Sequence, residues 1–111
     1  MHDDTIIEAI TILMSRAHNI ARAHGFWNTV RNDGEAIALM HSELSEALEA
    51  LRHGNPASEH VPEFTAVEEE MSDLLIRVLD YCRGHGCRLP EALIAKMEFN
   101  NTRPLKHGKK F

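Results

Sequence analysis

The chain has 111 residues, room for one domain and too little for two. Leu, Ile, Val and Phe make up about 24% of it, above the roughly 20% below which chains stay disordered. A net charge of −5, no apolar run of membrane-spanning length, an acidic Met1-His-Asp-Asp start and only two cysteines argue against a nucleic-acid binder, a membrane protein and a disulfide-stapled secreted fold, so the expectation is a cytoplasmic protein.

Thr5-Ile-Ile-Glu8 has the spacing of a capping box. Ile6, Ile10, Leu13, Ala17 and Ile20 follow at helical intervals, predicting a helix that ends at Gly25. A short loop to Asn32 holds Phe26 and the only tryptophan, Trp27. Asn32 or Asp33 caps a second helix running to Gly54, with Ile37, Met40, Leu44, Leu48 and Leu51 as its apolar stripe. Residues 55–64 carry two prolines and no periodicity, and read as a loop. Thr65-Ala-Val-Glu68 is a second capping box, opening a helix through Met71, Leu74, Leu75, Val78 and Cys82 until Gly84 and Gly86. Leu89-Pro90-Glu91 starts a fourth helix that stops before Pro104. Residues 106–111 form a basic tail, flexible or docked on a partner, beyond a single domain spanning 1–105. No apolar–polar alternation marks a strand, so the fold class is all-α, a four-helix bundle.

Charge is unevenly spread. Residues 43–80 hold ten acids against Arg52 and Arg77, while Lys96, Arg103, Lys106, Lys109 and Lys110 near the end face only Glu98. Such a pairing suits a site holding cations and a polyanion together, or plain solvated faces beside a tail.

Glu43 and Glu46 lie about 60° apart on one helix face, surrounded on the wheel by Ala36, Leu39, Ala47 and Ala50. Glu70 and Asp73 repeat the spacing on the next helix, Glu70 beside Leu74 and Tyr81. Acids at the rim of an apolar face need a cation. Two such pairs offer hard oxygen donors to one or two divalent ions, favouring Mg²⁺, with Mn²⁺ possible, over Zn²⁺. Ordinary exposed acids are the plain alternative, and two matched pairs weigh against it. No Glu-x-x-His pair is present, which disfavours a di-iron bundle. On the fourth helix Lys96, Asn100 and Arg103 share one face and can grip phosphate oxygens, or be merely solvated.

Together these residues resemble MazG-type nucleoside triphosphate pyrophosphohydrolases. Ser42-Glu43-Leu-Ser-Glu46 and Glu70-Met-Ser-Asp73 match the E-x-x-E…E-x-x-D signature. Lys96-Met-Glu-Phe-Asn100-Asn-Thr-Arg103-Pro104 matches the closing K-x-x-x-N-x-x-R-P segment, and Arg31-Asn32 also fits. The resemblance implies a homodimer or tetramer. It implies Mg²⁺-dependent cleavage of a nucleoside triphosphate between the α- and β-phosphates, giving a monophosphate and pyrophosphate. By position, Glu43, Glu46, Glu70 and Asp73 would be the metal ligands and catalytic acids, and Lys96, Asn100 and Arg103 the phosphate contacts. Many members carry a further Glu where this chain has Ser42. Water activation would then rest on a metal-bound hydroxide or one of the four ligands. Relatives specific for dUTP or phosphoribosyl-ATP share the acid pairs, and a non-catalytic nucleotide-binding regulator is the rival outside enzymes.

Phe26 and Trp27 are placed to stack a base or to plug the end of the bundle. His24 stands nearby at a helix end. Cys82, His85 and Cys87 form C-x-x-H-x-C, a zinc-like spacing without a fourth ligand.

Overall fold

A computed structural model describes residues 3–111. Four helices account for most of them: α1 (Asp3–Ala23), α2 (Asp33–Arg52), α3 (Ala66–Gly84) and α4 (Leu89–Asn101), followed by a short 3₁₀ turn, Leu105–Gly108. Among the described residues there is no strand; one isolated antiparallel bridge joins Ala57 to Thr65. No described helix is long and apolar enough to cross a membrane. The all-α expectation holds.

The caps explain most boundaries. The Asn32 side chain accepts from the Glu35 amide at 3.0 Å to start α2. Thr65 and Glu68 close a complete capping box on α3; the Thr65 amide and hydroxyl hold the Glu68 carboxylate below its usual pKa. The box at Thr5 is a correction. α1 already includes Asp3 and Asp4, so Thr5 lies inside the helix, and those two acids meet the positive end of its dipole instead.

Three helices end alike, on a His-Gly pair. Gly25, Gly54 and Gly86 take the left-handed conformation, with φ of 87°, 82° and 68°. In each case the following residue donates its amide five positions back, as Phe26 to Ala21, Asn55 to Ala50 and Cys87 to Cys82. These are Schellman turns, which satisfy carbonyls the helix leaves open. Past the second turn, Asn55 accepts from the Val67 amide and Pro56 from the Ala66 amide. The loop of residues 55–64 is thereby hooked onto the start of α3.

α3 packs against both α1 and α2, whereas α4 lies mainly on α1. The arrangement is open. The radius of gyration is 16.3 Å, against about 13 Å for a compact chain of this length. Buried apolar side chains are few: Met14, Ala17, Ala36, Ala47 and Leu79.

The apolar stripes are therefore a second correction. α2 turns Ala36, Glu43 and Ala47 inward, and leaves Ile37, Leu44, Leu48 and Leu51 exposed. Met71 and Leu75 of α3, and Leu13 and Ile20 of α1, are exposed as well. Small residues let two backbones approach closely, so the alanine face packs within the protomer while the leucine face stands outside.

Candidate metal centre

The inward face of α2 brings acids to α3. One carboxylate oxygen from each of Glu43, Glu46 and Glu70 lies within 4.8 Å of the others. Glu43 is only 6% exposed; Glu46 is exposed and Glu70 half-buried. Arg77, one turn beyond Asp73, donates from Nε to Glu43 Oε1 at 3.0 Å. That contact satisfies one side of the carboxylate only. Glu43 Oε2 and Glu70 Oε2 are both buried without a hydrogen-bond partner.

Three facing carboxylates repel one another when all are ionised. Burial, and then the neighbouring Glu43 and Glu46, push the Glu70 carboxyl up from its ordinary 4.5 to about 8. Asp73 is raised by burial and by the charge of Glu43 and Glu69, against the opposing pull of Arg77. A divalent cation held by these oxygens would compete with the proton on Glu70 and neutralise the clustered charge. The donor set contains no nitrogen or sulfur, so its chemistry fits Mg²⁺ or Mn²⁺.

Asp73 does not join the first trio. It forms a second acidic trio with Glu69 and Glu70, so Glu70 is common to both. Glu69 is a residue the motif reading passes over. It accepts from Ser58 Oγ and lies 2.7 Å from His60 Nδ1. Those two partners, Ser58 first, lower its pKa, and Glu69 raises that of His60. Ser58 is buried and also accepts from the Val61 amide at 3.0 Å. The loop between α2 and α3 thus braces the acids from outside.

Glu43 and Asp73 open onto a cleft of about 560 Å³ between α1, α2 and α3. Arg16, Arg31 and Arg77 line it, with His24, Phe26 and Tyr81. None of Lys96, Asn100 and Arg103 does. Lys96 and Asn100 lie on α4, but the helix ends at Asn101, so Arg103 sits in the bend just past it and not on the helix as the spacing predicted. Lys96 Nζ and the Arg103 guanidinium still lie 4.8 and 5.4 Å from the Phe99 ring. Arg103 also reaches Asn100 Oδ1 at 3.4 Å. Within one protomer the structure gathers the acids, and it gathers the basic row, but it keeps the two apart.

Phe26 and Trp27 also part company. Phe26 is exposed on the cleft. Trp27 turns to the bundle end, where its Nε1 donates to Asp80 Oδ1 at 2.8 Å. His18 Nδ1 approaches the same oxygen at 2.9 Å, and Arg31 stands 3.9 Å from Asp80 Oδ2. The Trp27 ring is edge-on to His18 and 5.6 Å from His85, over a Gly84 whose added Cβ would meet it at 2.2 Å. Asp80 had one sequence signal: it is an acid set among Val78, Leu79 and Tyr81. For Arg77 the signal was the i, i+4 step from Asp73.

No family model matches the chain, and neither a curated protein nor a solved structure matches it.

Proposed function

We propose that the chain is a metal-dependent nucleotide pyrophosphohydrolase of the MazG type, cleaving nucleoside triphosphates between the α- and β-phosphates. The observation that carries this reading is the convergence of Glu43, Glu46 and Glu70, with two buried carboxylate oxygens that lack any donor. Acids left so are costly unless a cation joins them. When bound there, Mg²⁺ or Mn²⁺ supplies charge neutralisation of phosphate oxygens and a lowered pKa for an attacking water.

The remaining chemistry falls to the chain's own residues. Glu43, Glu70 and Glu46 are the residues that would hold the ion. Asp73 stands toward the cleft, where it can orient a polar group of the substrate. Because this chain has Ser42 where the family carries a further Glu, activation of water would rest on a metal-bound hydroxide or on one of the four acids. Phe26 offers an aromatic face to a base on the cleft wall. Phosphoryl transfer needs positioning and charge neutralisation more than covalent help, which this arrangement can provide.

We also infer a homodimer or tetramer. The exposed Leu44, Leu48 and Leu51 of α2 and Met71 and Leu75 of α3 support it, since stripes at helical spacing call for a second surface. In one copy the Lys96–Asn100–Arg103 row lies outside the cleft; assembly is what would bring such a row near a triphosphate. Sedimentation of an active 12.6 kDa monomer would remove this part of the reading.

The test of activity is pyrophosphate release from a panel of nucleoside triphosphates, with dUTP and phosphoribosyl-ATP included, in Mg²⁺ and in Mn²⁺. Release of a monophosphate and pyrophosphate from at least one is the expected result. Nucleotide binding without turnover across the panel would favour the regulator.

A further inference from the structure

The Schellman turn that ends α1, α2 and α3 places the same two positions against each other each time. After α1 they are Ala21 and Phe26, after α2 Ala50 and Asn55, and after α3 Cys82 and Cys87. Only the third pair consists of two thiols. The Cys87 amide donates to the Cys82 carbonyl at 2.9 Å, and the Gly86 amide to Arg83 at 3.3 Å, so both bonds that define the turn are present. With standard bond lengths, that 2.9 Å link holds the two Cα atoms no more than about 6.8 Å apart, the outer limit a disulfide spans.

The two thiols differ in a useful way. Cys87 is exposed, whereas Cys82 is half-buried against Met14, Ala17 and Leu79. Burial, and then Cys87 beside it, push the Cys82 thiol up to about 11. Zinc is not the better reading. Among the described residues, the groups that gather three possible ligand atoms are acidic, and Cys82, His85 and Cys87 are not among them.

We propose that Cys82 and Cys87 form a reversible intramolecular disulfide that fastens the joint between α3 and α4. The oxidant is a low-molecular-weight disulfide. The Cys87 thiolate attacks one of its sulfurs, giving a mixed disulfide and one released thiolate. Cys82 loses its proton and attacks Cys87 Sγ, expelling the second thiolate. The two cysteines lose two electrons, the oxidant becomes two thiols, and the two cysteine protons end on them. The bond would lie at the joint from which the chain enters α4, the helix that packs mainly on α1.

The test uses the folded chain, glutathione disulfide and intact-mass analysis. The expected product is a monomer about 2 Da lighter, with both thiols lost and residues 82 and 87 linked in the peptide map. Cys82→Ala should stop at one glutathione on Cys87. The second step should run at least about tenfold faster in the folded chain than in urea, because the turn holds the thiols together. Wild type halting at the glutathione adduct, covalent dimers in place of the internal bond, or equal rates with and without urea would each overturn the proposal. None of these readouts depends on nucleotide turnover.

Discussion

A buried carboxylate, Asp80, and a half-buried one, Glu70, sit on the same helix ten residues apart, and they are treated in opposite ways. Asp80 accepts from Trp27 and His18 and has Arg31 close by. Glu70 faces Glu43 and Glu46, and one oxygen each on Glu70 and Glu43 has no donor. Asp80 is satisfied by the fold itself. In the Glu43–Glu46–Glu70 trio, two buried oxygens find no partner within the fold. The difference separates an acid paired within the fold from acids left partly unpaired, and under the proposed metal reading it gives substitutions at the two places opposite consequences.

The largest expected effect is on turnover. Glu43→Gln or Glu70→Gln should lower kcat/KM by about a hundredfold or more in saturating Mg²⁺ while the helical circular dichroism stays intact. Metal-free stability of Glu70→Gln should match wild type near neutral pH and exceed it above about pH 8, where Glu70 would ionise against Glu43 and Glu46. Near-normal activity in either variant would mean that the ion is held elsewhere. Asp80→Ala should do the reverse to the fold. It strands the Trp27 indole and the His18 ring, so a loss of about 2–4 kcal/mol in chemical denaturation is expected, with a shift in Trp27 emission. If Asp80→Ala is neutral, the contrast between the two regions fails.

Lys96→Ala and Arg103→Ala should cost roughly ten- to a hundredfold in kcat/KM, with Arg103→Lys only partly restoring it. The effect should vanish in any form held monomeric, since the row does not line the protomer's own cleft. A smaller effect is expected at Gly84. Alanine normally favours a helix by about 1 kcal/mol, but here its Cβ would press on the Trp27 ring. A net loss of about 1–2 kcal/mol and altered quenching of Trp27 should follow.

Local chemistry was readable from the chain: the Asn32 cap, the Thr65–Glu68 box and the glycine stops all stand where the residues put them. The acid pairs were readable only in part: Glu43, set beside Ala36 and Ala47, is buried and meets Glu70, whereas Glu46 stays exposed and Asp73 falls in a second trio with Glu69 and Glu70. Which face of α2 is buried was not. Hydrophobic spacing marks Leu44, Leu48 and Leu51 as a face needing cover, without saying whether this protomer or another copy covers it. Asp80 and Glu69 escaped notice because their partners, Trp27, His18, Ser58 and His60, come from distant or irregular segments that no spacing rule connects.

The finest test of the contrast is its pH dependence. Glu70 carries a folded pKa of about 8 against an ordinary 4.5, so the folded chain binds that proton more tightly than the unfolded one. Its contribution to metal-free stability is therefore fully present below pH 4.5 and is lost as pH rises toward 8. Asp73 acts in the same direction, whereas Glu69 and Glu68, with lowered pKa values, lose their contributions as pH falls. His60 also loses its contribution with rising pH, through its ion pair with Glu69. Subtracting the Glu70→Gln profile isolates Glu70 from all of these. Because its carboxyl is only half-buried, the difference should amount to about 1–2 kcal/mol between pH 5 and 8.5 rather than the full shift. Mg²⁺ should reverse the slope: the ion competes with the proton, so its stabilising effect should grow with pH and disappear in Glu70→Gln. A wild-type profile that parallels Glu70→Gln, with and without Mg²⁺, would place the proton and the ion on some other group.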